Sequence, residues 1–509
     1  MVRKFDVKRT KIVCTIGPSS SDEQVLREMI RVGMDVARIN FSHGDHETHR
    51  RNIELVRRIA VEENAVVAIM GDLQGPKIRL GKLTNEPIPI KKGDHLTLTA
   101  RKDADGTNLV LPLPHPDFLA DIREGHRLLL DDGNLEFRVI ARQGDDLVCE
   151  VVVGGELRSR KGVSAPESKL KISALTPKDI EDVKFALDVG VDYVAMSFVR
   201  SANDLRELRW LCKHLGKEEV ALVAKIEKRE AIQSFSEILE ATDAVMVARG
   251  DLGVETPAEA VPIHQKEIIR QCNEAGKPVI TATQMLQSMV DNPRPTRAEA
   301  SDVANAIFDG TDAVMLSQET AQGEFPVQAV ATMATIAVMA EKHFAQAIRP
   351  ERGRWLEAAL PDLFEEDLEN ISIATSRAAS LIADLLNARL IVTASYTGMT
   401  ARLIARTRPR TSILCATTNE QTSRRLAMVW GVHPMIVPQF TTIDEMIERI
   451  VVAAHSARMV EHGDTLVLVA GVPFGMAGQA NFLKIHRVGE SQEVPAPGMA
   501  ANLTRPDQR

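Results

Sequence analysis

Eight short apolar runs, each ending in charged, hydroxyl or glycine residues, recur along the chain. They are KIVCTIGP (11–18), VARINFS (36–42), AVVAIMGD (65–72), YVAMSFV (193–199), ALVAKIE (221–227), AVMVARG (244–250), PVITAT (278–283) and AVMLSQE (313–319). Unbroken apolarity over this length is the pattern of a strand buried on both faces, as in a parallel sheet. The stretches between most of them, such as SDEQVLREMIRVG and SANDLRELRWLCKHLG, are amphipathic and have room for one helix each. Eight βα units in succession predict a closed (β/α)8 barrel.

The third and fourth runs stand much further apart than a connecting helix requires. Residues 74–164 between them read as β, with PIKKGDHLTLTA, HRLLLDDGNLEFRVIA and DLVCEVVVGG punctuated by KKG, DDG and GG turns. The expectation is a barrel from 1–73 and 165–345, with a small β-barrel domain inserted on its third βα loop, where it can close over a substrate as a lid. After a proline- and charge-rich connector, 346–490 reads as a C-terminal α/β open-sheet domain, with strands RLIVTAS, TSILCATT, HPMIVPQ, DTLVLVAGV and NFLKIHRV. The last residues, 491–509, are rich in proline, glycine and polar residues and are expected to lie outside the fold.

Composition narrows the class of function. The 509 residues are 44% hydrophobic and 26% charged with net charge -8, which suits a globular enzyme and argues against nucleic-acid binding. Five cysteines without a CxxC spacing read as buried, reduced thiols. No run reaches the length of a membrane span and the N-terminus lacks a signal-peptide core, so a cytoplasmic protein with no membrane partner is expected.

The chemistry sits at the strand ends. Residues two apart on a strand share a face, so Lys225 and Glu227 point one way, and so do Arg249 and Asp251. A structural ion-pair network is the alternative reading of either pair, but two adjacent strands carrying such pairs favour function. Two carboxylates without an HExxH or Cys/His set suit a hard ion such as Mg2+, with Glu227 and Asp251 as candidate ligands and Lys225 beside them to neutralise a phosphoryl group or an enolate. On the second run Arg38, Asn40 and Ser42 line one face, followed by His43. Past the third run, Gly75 and Pro76 break the strand and place Lys77 and Arg79 with Arg38 in an anion-binding rim. Gly250 and Gly253 flank Asp251 before a helix, where backbone amides can hold an anion or simply form a turn. Thr281 and Thr283 are expected on one face before a helix, and Ser317 and Glu319 end the eighth run; hydroxyls there can bind anions, relay a proton or cap a helix. No P-loop or dinucleotide fingerprint is present, while TASYTGMTAR in the third domain offers either a phosphate pocket or a capped turn.

Together these residues resemble the pyruvate kinase family. ALVAKIEKREAI is similar to its active-site signature, and KIVCTIGP, ARINFSHG, DLQGPKIR, ARGDLGVE, ATQMLQSM, PRPTRAEASDVANAIFDGTDAVMLSQET and ARTRP to its other motifs, over residues 8–488. The resemblance implies transfer of phosphate from phosphoenolpyruvate to ADP, giving pyruvate and ATP. It implies Mg2+, with Mn2+ as a substitute, and a homotetramer. By position, Lys225 resembles the lysine that stabilises phosphoryl group and enolate, Glu227 and Asp251 the magnesium ligands, and Arg38 the phosphate contact. Gly250, Asp251 and Thr283 match the substrate carboxylate site. His43, Arg79 and Lys161 match nucleotide-side positions, and Thr283 with Ser317 the protonation of the enolate.

Two departures from the family pattern matter. Lys77 stands where potassium-dependent relatives carry glutamate, and Leu73 and Gln74 also resemble the potassium-independent subgroup, so K+ is expected to be dispensable although Asn40, Ser42, Asp72 and Leu73 occupy its site. In the third domain the effector loop Thr393, Ser395, Thr397, Gly398 and Thr400 is retained, whereas AGVPFGMAGQAN lacks the Trp and Arg that hold fructose 1,6-bisphosphate in some relatives. AMP or a sugar monophosphate is the expected effector class. The competing readings are an ADP-independent barrel lyase or mutase, which would not need Arg79 and Lys161, and a non-catalytic metabolite-binding regulator, which predicts loss of Lys225, Glu227 or Asp251.

Overall fold

The computed structural model describes residues 8–168, 170–347, 368–473 and 480–489. Most of the connector IRPERGRWLEAALPDLFEEDLEN (348–370), the tail 491–509 and most of the GVPFGMAGQ stretch lie outside them. Eight parallel strands close a barrel: β1 (Lys11–Thr15), β2 (Val36–Asn40) and β3 (Ala68–Asp72), then, beyond the insertion, β12 (Tyr193–Met196), β13 (Ala221–Ile226), β14 (Ala244–Ala248), β15 (Val279–Ala282) and β16 (Ala313–Leu316). Closure is the pairing of β1 with β16, Lys11 opposite Ala313. The helices between strands start on ordinary signals. Asp22 accepts from the backbone N–H groups of Gln24 and Val25 to begin Glu23–Val32, and Thr176 with Asp179 forms a capping box for Pro177–Asp188.

Alternate residues of each strand face the barrel axis. The lower interior is apolar, filled by Val13, Val36, Met70, Tyr193, Val223, Met246, Ile280 and Met315 among others. Its floor is closed by Ala427 and Met428, which belong to the C-terminal domain. The strands stop sooner than the apolar runs do, because the chain turns helical at their polar ends. Arg249–Glu255 is already a helix, and Ser317 precedes the short helix Gln318–Ala321.

The insertion comprises β4 (Ile88–Ile90), β5 (His95–Thr99), β6 (Val110–Pro112), β7 (Arg127–Leu130), β8 (Leu135–Gln143), β9 (Asp146–Val153), β10 (Gly155–Leu157) and β11 (Val163–Ser164). It is a sheet domain, as expected, but not a closed barrel. Six strands form the open order β11-β7-β8-β9-β5-β6, and β10 pairs with β4 separately. The edges do not meet: β11 is two residues long and β6 pairs with β5 alone. Alternation along β8 and β9 buries Leu135, Phe137, Val139, Leu147, Cys149 and Val151 in a core of the insertion's own. A narrow antiparallel ribbon joins it to the barrel, with Leu80 N–H to Lys161 O and Val163 N–H to Ile78 O, both 2.9 Å. Gly75 starts that exit at φ +67, where a Cβ would meet Phe198 at 2.9 Å and Ser197 at 3.0 Å.

The third domain is an open sheet of β17 (Leu390–Ala394), β18 (Ser412–Thr417), β19 (Val432–Ile436), β20 (Thr465–Ala470) and β21 (Phe482–Arg487), in the order β19-β18-β17-β20-β21 with β21 antiparallel. Two apolar clusters cover its two faces. It docks on the barrel floor through directional contacts. Tyr193 OH donates to Arg425 O (2.6 Å), Lys11 Nζ to Val432 O (2.8 Å) and Arg424 Nε to Asp192 (2.8 Å). Arg408 reaches Asp312 (3.0 Å), Asn273 Oδ1 (2.8 Å) and Gly310 O (2.6 Å), with its guanidinium 4.9 Å from the Trp430 ring centre. All five cysteines are free and buried. Among the described residues no helix is long and apolar enough to cross a membrane.

Candidate active site at the barrel mouth

At the upper ends of β1, β2, β3, β12 and β13 the inward positions change from apolar to polar. Thr15, Arg38, Asp72, Ser197, Lys225 and Glu227 converge there. Arg38 Nε donates to Asp72 Oδ2 (2.6 Å) and Nη1 to Thr15 Oγ1 (2.9 Å). Lys225 Nζ donates to Ser197 Oγ (2.7 Å) and lies 3.0 Å from Glu227 Oε1 and 3.2 Å from Asp72 Oδ1. Ser197 in turn donates to Leu73 O (2.7 Å), and Glu227 Oε2 accepts from Phe198 N–H (2.7 Å). Asp72 and Glu227 are each 1% exposed and Lys225 8%, so water screens these charges little.

Burial opposes the charge on all three, and the neighbours decide the outcome. For Lys225, burial is outweighed by the carboxylates of Asp72 and Glu227, so its pKa rises and it stays an ammonium. For Asp72, burial is outweighed by Lys225 and Arg38, and its pKa falls. Glu227 moves upward, because burial and the charge of Asp251 outweigh Lys225. The Asp251 charge thus disfavours the ionised form of Glu227 even with Lys225 at 3.0 Å, and a divalent cation shared by the two carboxylates would relieve that repulsion. The donor set fits Mg2+.

The strand-parity expectation holds for Lys225 and Glu227 but not for the next pair. Asp251 sits in the first turn of the helix Arg249–Glu255, with Oδ1 3.3 Å from Lys77 Nζ. Arg249 turns away to Asp302 Oδ1 (2.8 Å) and Thr283 O (2.8 Å), because the helix, not the strand, sets its direction. Thr281 and Thr283 do not share a face either. Thr281 is buried against Thr311 (3.0 Å), while Thr283 reaches the mouth through a left-handed residue at φ 68. There its Oγ1 accepts from Gly250 N–H (2.8 Å), so that amide is engaged rather than open. Ser317 is half-buried at the end of β16, its N–H on Glu319 Oε2 (2.7 Å).

Residues assigned to a monovalent ion are mostly occupied. Asn40 Oδ1 accepts from Ser42 N–H (3.1 Å), Leu73 O from Ser197, and Asp72 faces two cations. His43 is exposed beside them. Arg79 and Lys161 lie on the ribbon to the insertion, Arg79 donating to Arg160 O (3.0 Å) and Lys161 pairing with Asp131 (2.6 Å). Between insertion and barrel runs a cleft lined by Lys77, Asp132, Phe198, Arg200, Lys228 and Asp251, among others. Sequence reasoning missed Ser197, Lys228, Arg200 and Asp132. The inward parity of Tyr193 and Ala195 extends to Ser197 and could have found it, whereas Asp132 enters only because the insertion folds back over the mouth.

The loop in the third domain is a self-satisfied turn. Ser395 Oγ accepts from Gly398 N–H (3.0 Å), and Gly398 at φ 76 precedes the helix Met399–Arg406. Thr393 is buried within β17 rather than in the loop, and Thr400 is also buried, which leaves Ser395 and Thr397 nearer the surface.

Comparison with known proteins places both halves of this architecture. Residues 7–330 match the family model described as pyruvate kinase, barrel domain, and residues 373–486 the one described as pyruvate kinase, alpha/beta domain. The chain is 44% identical over 485 residues to a pyruvate kinase of Geobacillus stearothermophilus, covering 95% of this chain and 81% of the relative. It is 47% identical to pyruvate kinase 2 of Synechocystis over 94% and 79% of the two chains, and 43% identical to a Clostridium perfringens pyruvate kinase over 95% and 100%. A solved pyruvate kinase from Cryptosporidium parvum superposes with a TM-score of 0.87 at 35% identity, covering 96% of this chain and 98% of that one.

Proposed function

This chain belongs to the pyruvate kinase family, and from that premise we propose how its residues divide the transfer of phosphate from phosphoenolpyruvate to ADP, the final ATP-forming step of glycolysis. The observation that carries the assignment is the buried ammonium of Lys225, held protonated between Asp72 and Glu227 at the point where charge develops. Arg38, fixed by Asp72 and Thr15, presents its remaining N–H groups to the phosphate. Lys225 stabilises first the transferring phosphoryl group and then the enolate. Glu227 and Asp251 would hold Mg2+, or Mn2+ in its place, which when bound neutralises phosphate charge. The Asp251 amide and the Thr283 hydroxyl take the substrate carboxylate, and Thr283 with Ser317 delivers a proton to the enolate through water. His43 on the barrel, with Arg79 and Lys161 on the ribbon to the insertion, holds ADP, and closing the cleft excludes water from the transfer. Measuring pyruvate release with and without ADP tests the reading. Pyruvate formed without ADP, or none formed at all, would overturn it.

Lys77 makes potassium dispensable in this reading. Asn40 Oδ1 and Leu73 O already accept hydrogen bonds, and the Lys77 ammonium beside Asp251 supplies a fixed positive charge. Turnover at saturating Mg2+ is expected to be unchanged when K+ is replaced by tetramethylammonium, and to become K+-dependent in Lys77→Glu. Loss of the parent's activity on omitting K+ would refute this.

We further infer a cytoplasmic homotetramer, on resemblance alone, and a phosphorylated effector, AMP or a sugar monophosphate, at Ser395, Thr397 and Thr400. Activation by such a compound is expected to vanish in Thr397→Ala with Thr400→Ala while basal turnover persists. Unchanged activation would exclude this loop.

A further inference from the structure

Glu227 and Asp251 come from different elements, and β13 and β14 pair only as far as Ile226 and Val247, so the ladder stops setting their spacing just before either carboxylate. A closed circuit of contacts takes over from it. Glu227 Oε2 accepts from the N–H of Phe198, and the ring of the same Phe198 lies under the Lys228 ammonium, 5.6 Å from its centre. Lys228 Nζ donates to Glu255 Oε1 at 2.5 Å. Glu255 stands four residues after Asp251 on the helix Arg249–Glu255, so the two carboxylates share a face, and Lys228 directly follows Glu227. Phe198 is held at φ 55, a conformation a phenylalanine adopts only when its surroundings impose it.

The Lys228 and Glu255 side chains are 14% and 4% exposed, so solvent competes little for this pair. We propose that Lys228 and Glu255 form a clip that sets the separation of Glu227 and Asp251, and are positioning residues for the divalent cation. The inference rests on Glu227 and Asp251 being the ligands.

The test removes the clip without changing net charge. Lys228→Met combined with Glu255→Met replaces a buried pair by apolar groups of similar size, a change that commonly leaves stability unaltered. Mn2+ binding to the substrate-free full chain, read from the free-ion electron paramagnetic resonance signal, is expected to weaken by about tenfold, equivalent to about 1.4 kcal/mol. The thermal midpoint should stay near the parent's, and Lys228→Arg should keep parent-like affinity. Equal Mn2+ affinity in the double variant and the parent overturns the clip, including when the double variant melts earlier, since the pair is then structural only. Glu227→Gln serves as the control. If it leaves Mn2+ binding intact, the ligand reading itself fails and the clip with it. Should the double variant not fold, the isosteric Glu255→Gln carries the same expectation.

Discussion

Replacing Lys225 with methionine is expected to lower turnover by on the order of 10²–10³-fold, the usual loss when a preorganised donor to developing charge is removed. The chain should still fold. Asp72 keeps Arg38 at 2.6 Å, and Glu227, whose pKa is already raised, can take up a proton once its cationic neighbour is gone. The defect should therefore appear in kcat far more than in the KM for ADP, because the nucleotide side of the cleft is untouched. Steady-state kinetics with a matched thermal melt separates this from misfolding. Turnover within tenfold of the parent would remove Lys225 from the centre of the mechanism.

Replacing Arg408 with methionine is expected to act on stability rather than chemistry. Arg408 is 12% exposed and joins Asp312, Asn273 and Gly310 of the barrel to the sheet domain while stacking on Trp430. Its loss leaves Asp312 buried with only backbone N–H partners from Val279 and Trp430. Breaking such a pair costs roughly 3–5 kcal/mol, which for a domain of this size lowers a melting midpoint by on the order of 10 °C. The C-terminal domain should then melt in a separate early transition and be released by limited proteolysis. A single transition at the parent's temperature would mean that the apolar contacts at Ala427 and Met428 hold the floor unaided.

Most of the barrel was legible because its signal is local: an unbroken apolar run makes a buried strand, and the polar residue that ends it marks the mouth. Lys225 and Glu227 followed from parity within one strand. The same rule misdirected Arg249 and Thr281, because parity holds only while the backbone stays extended. β14 ends at Ala248 and Thr283 turns left-handed, and neither change has a signal as strong as the apolar run before it. The insertion was recognisable as β but not as an open sheet, since whether β6 and β11 meet depends on long-range pairing that alternation does not encode. The clip at Lys228 was equally hidden. A lysine after the active-site motif reads as a solvated charge until the fold brings Glu255 to it.

The barrel floor constrains the order in which this protein is made. β1 cannot complete its ladder until Ala313 of β16 exists, and the interior cannot be sealed until Ala427 and Met428 arrive. The insertion, with its own core between residues 78 and 165, can settle while the chain is still emerging from the ribosome. The first strand synthesised must wait for β16, about 300 residues later, exposing apolar surface meanwhile, as expected of folds dominated by distant pairings. A pause or truncation before residue 427 should therefore leave a catalytic barrel that is open at the bottom and prone to aggregate, even with every active-site residue already in place.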